Sequence, residues 1–358
     1  MDLKITPLNP ANMKQPPVDD FGFGNLFSNR MFTQQYTVGQ GWHDAQIGPY
    51  EQLSLWPSTA VLHYAQEIFE GTKAYRRPDG RVNLFRPWEN ARRFNESARR
   101  MVMPVVDEED HVAAIAKLVE LEEEWVPNVP GSSLYIRPAM IATDAALGVH
   151  ASKTYLHFVI LSPVGAYFKE GFNPVPVYIS DEYRRAVKGG TGAAKTGGNY
   201  AASLYVSEAV KSKGYSQVLW LDAIHGRYVE EVGAMNICFV YGGQHIVTPK
   251  LSGSILPGIT RKSLLTLAPD LGYEVSEETI DVNDMLADLK AGKITEVFGC
   301  GTAAVIAPVG KFGYKDEEYI INDYQPGPVS HRLFDELTGI QTGRLPDPYN
   351  WTYTLGQE

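Results

Sequence analysis

Cysteine is scarce in this chain: Cys238 and Cys300 are the only two among 358 residues. Two thiols are too few for a disulfide framework or a cysteine-based zinc site. Long apolar runs are missing too, and none reaches the roughly 18 residues of a membrane span. The opening stretch "MDLKITPLNPANMKQPPVDD" has no apolar h-region and is no arginine-rich amphipathic helix, so a secretory or transit peptide is not expected. Cations are outnumbered, with a formal net charge of −10. No excess of positive charge exists to displace counterions, which argues against nucleic-acid or anionic-membrane partners and leaves room for a local basic pocket. A reduced, cytoplasmic setting is the expectation.

Familiar catalytic signatures are also lacking. The eight histidines form no HExxH, and no G-x-S-x-G elbow occurs. "GGTGAAKTGG" matches part of the phosphate-binding loop G-x-x-x-x-G-K-[ST], but Ala194 stands where that loop needs a glycine before its lysine. An NTPase is disfavoured.

What remains is an ordinary globular composition, 44% hydrophobic and 21% charged. The length favours two domains, since single cores seldom grow past roughly 250–300 residues. Residues 1–20 read as a proline-rich arm and 21–163 as a first domain. "YEQLSLWP" and "RVNLFRP" alternate like strands there, "ENARRFNESARRM" and "EEDHVAAIAKLVELEEEWV" repeat like helices, and "SSLYIRPAMIA" and "TYLHFVILSPVG" look like buried strands. A linker is placed at 164–175, where glycines and prolines interrupt the apolar pattern, and a second domain at 176–358. The second half begins with "VPVYISDEYRRA"; strands are expected at "SQVLWLDA", "NICFVYG" and "HIVTP", helices after Tyr200 and at "PGITRKSLLTLA" and "VNDMLADLKAG", and one strand at "ITEVFGCGTAAVIAPV". The class is α+β, without the βαβ rhythm of a doubly wound sheet.

Five features could carry chemistry. Lys195 sits in "GAAKTGGNYAASL" among residues with almost no side-chain volume. A poorly hydrated amine there would be a good nucleophile toward carbonyls, and small neighbours would admit a flat ligand. An ordinary glycine-rich surface loop fits the same stretch. Glu231, in "EEVGAMN", enters an apolar strand and therefore needs a cation or a donor. A solvated strand edge is the plainer account. In "SILPGITRKSLL", Pro257 and Gly258 precede a helix, so the Ile259 and Thr260 amides form an anion site or simply a helix start. Thr302, in "GCGTAA", could hold another phosphate oxygen or merely lie in a turn. Arg93 lies beside the apolar face of its helix, next to Phe94, and could pair with a phosphate. Together these features supply what pyridoxal phosphate requires: an amine, an acid and phosphate donors.

The chain resembles the branched-chain amino acid aminotransferases of the fold-type IV group of pyridoxal-phosphate enzymes. The resemblance runs from "PPVDDFGFG" to "EYIINDYQPGP", through "LHYAQEIFEGTKAY", "LFRPWENARRF", "GSSLYIRPAMIA", "AKTGGNYAASL", "EEVGAMN", "ILPGITRKSLL" and "EVFGCGTAAVIAPV". It implies a two-domain, D-amino acid aminotransferase-like α+β fold with a smaller N-terminal α/β sandwich and a larger C-terminal pseudo-barrel domain. It also implies pyridoxal 5′-phosphate as cofactor, and exchange of an amino group between leucine, isoleucine or valine and 2-oxoglutarate. By the same resemblance Lys195 is the Schiff-base lysine and proton shuttle. Tyr200 contacts the cofactor's phenolic oxygen, and Glu231 its ring nitrogen. Arg93, Ile259, Thr260 and Thr302 hold the phosphate, with Arg185 near the cofactor.

On the substrate side the resemblance implies an aromatic pocket of Phe23, Tyr64, Phe69, Tyr135 and Tyr167. Arg137 would receive the distal carboxylate of glutamate, and Ala303 with Ala234 the α-carboxylate. Leu147 and Val149 would reach the neighbouring subunit of a homodimer. Three departures stand out: Ala234 replaces a threonine found in several relatives, Cys238 replaces an aromatic, and Ala304 and Ala307 stand where mammalian relatives carry Cys-x-x-Cys. No thiol switch of that kind is expected. Other fold-type IV chemistries stay open, namely D-amino acid or R-selective amine transamination and aminodeoxychorismate lyase activity. A non-catalytic cofactor-binding module is a further alternative.

Overall fold

The computed structural model describes residues 1–165 and 172–356. Tyr167 and much of the expected linker fall outside the described residues. The chain divides into two compact units, one of residues 1–167, 194–197 and 339–358, the other of residues 168–193 and 198–338. The last twenty residues thus cluster with the first unit, unlike the continuous 176–358 domain expected from the sequence. No helix among the described residues is long and apolar enough to cross a membrane.

The first unit is built from β1 (Lys4–Ile5), β2 (Arg30–Thr37), β3 (Gly41–Pro49), the short helix α1 (Ala60–Tyr64), β4 (Glu67–Phe69), β5 (Thr72–Arg76) and β6 (Val82–Phe85). Helices α2 (Pro87–Arg100) and α3 (Glu108–Leu121) follow, then β7 (Ser133–Ala142) and β8 (Thr154–Val164). The strands form one sheet in the order β1-β3-β2-β8-β7-β5-β6, closed by the C-terminal strand Thr352–Thr354, with β4 on a separate stretch of β7. The proline-rich arm is therefore docked, since β1 pairs in parallel with β3. "YEQLSLWP" forms no strand: its alternation has no ladder partner, and most of its residues are exposed.

The period-two rule divides the long strand β7. Leu134 and Ile136 point into a core with Leu84, Leu118 and Val159, so Tyr135 and Arg137 point to the opposite face. α2 starts at Pro87, whose fixed φ suits the first helical position, and it buries Phe94 and Ala98 against Ile68 and Met140. α3 is capped by the Asp107 carboxylate, which accepts from the Asp110 amide at 3.0 Å.

The second unit begins with β9 (Val175–Ile179) and α4 (Gly197–Lys211), the helix whose first residue still clusters with the first unit. Then come β10 (Gln217–Leu221), β11 (Val229–Val232), β12 (Asn236–Tyr241), β13 (His245–Pro249), α5 (Ile259–Asp270), β14 (Glu274–Glu278) and α6 (Val282–Lys290). The stretch read as a single strand is a hairpin of β15 (Ile294–Gly301) and β16 (Val305–Tyr314), turning through Thr302–Ala304, and β17 (Glu317–Ile320) pairs with β16. The sheet order is β11-β10-β9-β16-β15-β12-β13-β14. Its core holds Val177, Leu219, Phe239, Val297 and Phe312. A tight turn joins β11 to β12, with Val232 and Met235 exchanging two backbone hydrogen bonds of 2.9 Å, and Gly233 adopts the left-handed φ of 58° it requires.

Candidate active site

Lys195 lies on an irregular segment that ends at the first turn of α4. Its side chain is half-buried, with Nζ 4.8 Å from the centre of the Phe69 ring. The backbone around it is held closely: the Lys195 amide donates to Ser97 Oγ at 2.9 Å, and its carbonyl accepts from the Phe69 amide at 3.0 Å. Within the second unit, the residues flanking this segment are joined by Thr191 Oγ1 and Asn199 Oδ1 at 2.8 Å, and by Asn199 Nδ2 donating to Thr191 O at 2.8 Å. Gly192 has no room for a side chain, because the Ser254 carbonyl lies against it. The small residues are thus needed for close backbone approach as well as for access.

Phe69 is shared. The Arg137 guanidinium lies 4.8 Å from the same ring and 5.3 Å from the ring of Tyr135, whose hydroxyl accepts from Arg137 at 3.3 Å. Phe23 meets Tyr135 edge-on with ring centres 5.4 Å apart. Phe23, Phe69, Tyr135 and Arg137 therefore form one cluster in the first unit, as cation–π stacking and the shared strand face favour.

Arg93 has a partner that sequence reasoning missed. Its Nε and one terminal nitrogen donate to the two oxygens of Glu70, at 2.7 and 2.9 Å. Asn90 Nδ2 and the Gly71 amide complete the carboxylate, at 2.7 and 3.1 Å. Burial alone would push the Glu70 carboxyl up. The Arg93 guanidinium, helped by Lys195 and Asn90, outweighs it and holds Glu70 below the usual carboxylate range. The burial argument applied to Glu231 would have found Glu70, an acid inside the apolar run of "EIFEGTKAY".

In the second unit Glu231 is buried on β11. It accepts from the Leu256 amide at 2.9 Å and from Asn236 Nδ2 at 3.4 Å, and it pairs with Arg185 at 2.7 Å. The solvated-edge account of this acid is excluded by its 3% exposure. Arg185 also donates to the Ser254 carbonyl at 2.6 Å, while its Nε has no hydrogen-bond partner among the described residues. Tyr200 is half-buried in the first turn of α4. Helix α5 begins at Ile259 and Thr260 with Gly258 as its cap and no side-chain bond to the cap. Asn236 Oδ1 leaves no space for a Cβ at Gly258. Thr302 and Ala303 are partly buried in the β15–β16 turn, and Ala234 is exposed in the β11–β12 turn.

Tyr64 stands apart from the aromatic cluster. It is 39% exposed and its hydroxyl donates to the Leu147 carbonyl. Leu147 and Val149 are exposed as well, together with Trp56 and Leu62.

A lysine on an aromatic face, a buried acid paired with arginine, and an uncapped helix start agree with one known sequence pattern. The family model for amino-transferase class IV matches residues 67–312. The chain belongs to the class IV aminotransferases. It is 51% identical to branched-chain-amino-acid transaminase 1 of Bacillus subtilis, with 95% of each chain covered. Identity to the branched-chain-amino-acid aminotransferase of Mycolicibacterium smegmatis is also 51%, over 97% of this chain and 96% of that one. Among solved structures, a T.th. branched-chain amino acid aminotransferase with pyridoxamine 5′-phosphate matches with a TM-score of 0.75 at 28% identity, covering 90% of this chain and 97% of that one. The Escherichia coli branched-chain amino acid aminotransferase matches with a TM-score of 0.73 at 27% identity, over 92% and 100%. The fold is the two-domain α+β arrangement of the fold-type IV group.

Pyridoxal 5′-phosphate is the cofactor of class IV aminotransferases, and the residues present fit it. The α5 amides lack a side-chain acceptor at the cap, as a phosphate-binding helix start requires. Glu231 is an oriented acid with three neighbours to hold it. Lys195 offers a reachable amine.

Proposed function

We propose that the protein is a branched-chain amino acid aminotransferase of the cytoplasm, moving the amino group of leucine, isoleucine or valine reversibly to 2-oxoglutarate. The observation that carries this reading is Arg137 laid against the rings of Phe69 and Tyr135. An aliphatic side chain meets aromatic surface there. A dicarboxylate meets the edge of the guanidinium, so one cluster serves both substrates. The curated relatives at 51% identity support the same substrate class.

Pyridoxal 5′-phosphate, when bound, supplies the electron sink that makes the substrate Cα–H acidic. Lys195 would anchor it and, once released, move the proton at the substrate Cα with Nζ. Glu231, fixed by Arg185, Asn236 and the Leu256 amide, would keep a proton on the ring nitrogen. Tyr200 would donate to the phenolic oxygen. The Ile259 and Thr260 amides, the Thr302 hydroxyl and Arg93 would hold the phosphate. Arg93 enters this role already oriented by Glu70, which leaves it less rotamer freedom to lose on binding. The Ala303 amide beside Ala234 would take the α-carboxylate, with no hydroxyl at position 234 to help.

The chain would work as a homodimer. Trp56, Leu62, Leu147 and Val149, on two segments joined by the Thr59–Ala145 bridge, are between 60% and 83% exposed, more apolar surface than a monomer usually shows to water in one place. Tyr64 is bonded to the Leu147 carbonyl and would travel with this loop into the neighbouring subunit's site.

The test is turnover with a panel of donors of both hands. Leucine with 2-oxoglutarate should yield glutamate, and Lys195→Ala should not. Use of D-amino acids or R-amines in place of leucine would sink the specificity. No turnover with any donor, in protein saturated with cofactor, would sink the enzyme reading altogether.

A further inference from the structure

Strand β4 is three residues long, and one of its edges is taken by β7, with Glu67 opposite Ile141 and Phe69 opposite Ala139. Its other edge holds the lysine segment. The Phe69 amide donates to the Lys195 carbonyl at 3.0 Å, and Thr196 Oγ1 donates to the Glu67 carbonyl at 2.7 Å. The Glu67 carboxylate then accepts from the Gly197 amide and lies so close that Gly197 has no room for a Cβ. On the far side, Ser97 of α2 takes the Lys195 amide at 2.9 Å. Four polar groups of Lys195, Thr196 and Gly197 thus have fixed partners, and two of those partners belong to Glu67.

We propose that Glu67 is the positioning residue for Lys195. Its carbonyl takes the Thr196 hydroxyl and its carboxylate the Gly197 amide, so both residues that follow the lysine are held to β4. This fixes the backbone torsions from which the Lys195 side chain departs toward Phe69. A negative charge at the first amide of α4 is favoured by the helix as well. Burial pushes the Glu67 carboxyl up, opposed by the Gly197 amide, Thr196 and the Arg137 cation. The acid is thus bonded to the segment that carries the amine and feels the charge of the Arg137 cation. Glu67 touches no reacting atom in this account and acts through Lys195. The inference rests on Lys195 being the reacting amine.

The experiment compares Glu67→Ala and Glu67→Gln in the holoenzyme by amide hydrogen exchange of peptides covering 194–198 and by steady-state kinetics with leucine. Glutamine keeps an oxygen for the Gly197 amide, and alanine does not. The alanine variant should exchange faster at residues 195–197 alone, and its kcat should fall by about 10²-fold with KM nearly unchanged, the effect of misplacing a reacting group by about 1 Å. The glutamine variant should recover both. Unchanged exchange in Glu67→Ala overturns the proposal. So does faster exchange spread across the whole first unit, which marks a general loss of packing, or a glutamine variant as impaired as alanine. Exchange reads the segment whether or not leucine is the substrate, so a failure of the functional reading would be seen separately.

Discussion

Lys73 and Lys195 lie in the same unit, and their surroundings differ in an instructive way. Lys73 is inside a sheet on β5, opposite Tyr135 of β7, and only 5% exposed. Burial drags its pKa down to about 7. By basicity alone it would be a ready nucleophile at neutral pH. It is its burial, not its basicity, that leaves this amine little surface for a ligand to meet. Lys195 is on a segment of small residues, half-buried, with its amine over an aromatic face. In the proposed function, access and orientation are what set Lys195 apart from Lys73.

The widest separation between the two lysines should appear in turnover. Lys195→Ala should lose at least the roughly 10²–10⁴-fold that a positioned proton-transfer group contributes. Lys73→Met should stay within about tenfold of the parent. In stability the order reverses. Lys73 has a folded pKa of about 7 against an ordinary 10.5, so between these pH values the unfolded chain binds the extra proton. Its contribution therefore grows more favourable as pH rises from 7 to 10.5, and the full penalty applies below 7. Lys73→Met should remove that slope and raise stability at neutral pH by as much as ~5 kcal/mol, read from denaturant midpoints across the pH range.

A smaller effect comes from the acid that braces Arg93. Glu70→Ala leaves a buried guanidinium without its carboxylate and should cost about 3–5 kcal/mol in urea unfolding. The smallest concerns His111 and His157, whose rings stack 5.1 Å apart near Phe94, with no hydrogen-bond partner for any of their ring nitrogens among the described residues. Burial pulls the His111 pKa down to about 4. The unfolded histidine protonates near 6.5, so stability is lost as pH falls from about 6.5 toward 4. His111→Phe should flatten that acid limb by roughly 3 kcal/mol, measured as the fall in unfolding free energy between those pH values.

Regular structure was legible where one signal dominated. The apolar spacing of α2, α3, α5 and α6 and the long runs of β7 and β8 gave their type directly. The hairpin of β15 and β16 was hidden, because its turn at Thr302–Ala304 is made of small residues and the apolar run reads through it. The return of residues 339–358 to the first unit depends on the Thr352–Thr354 strand pairing with β6, a distant partner that no local pattern records. In the site, Lys195 and Glu231 showed themselves by residues out of place in their surroundings. Glu70 carried the same signal. It passed unread because Arg93, which satisfies it, lies on another element 23 residues away. Glu67 gave no signal, since its role is made of backbone contacts with a segment 130 residues on.

The most direct test of the account is where the cofactor attaches. Borohydride reduction of the holoenzyme, followed by proteolysis and mass spectrometry, should leave the phosphopyridoxyl mass on the peptide containing Lys195 and nowhere else. The same mass on the Lys73 peptide, or a protein that carries none after saturation with pyridoxal 5′-phosphate, would contradict it.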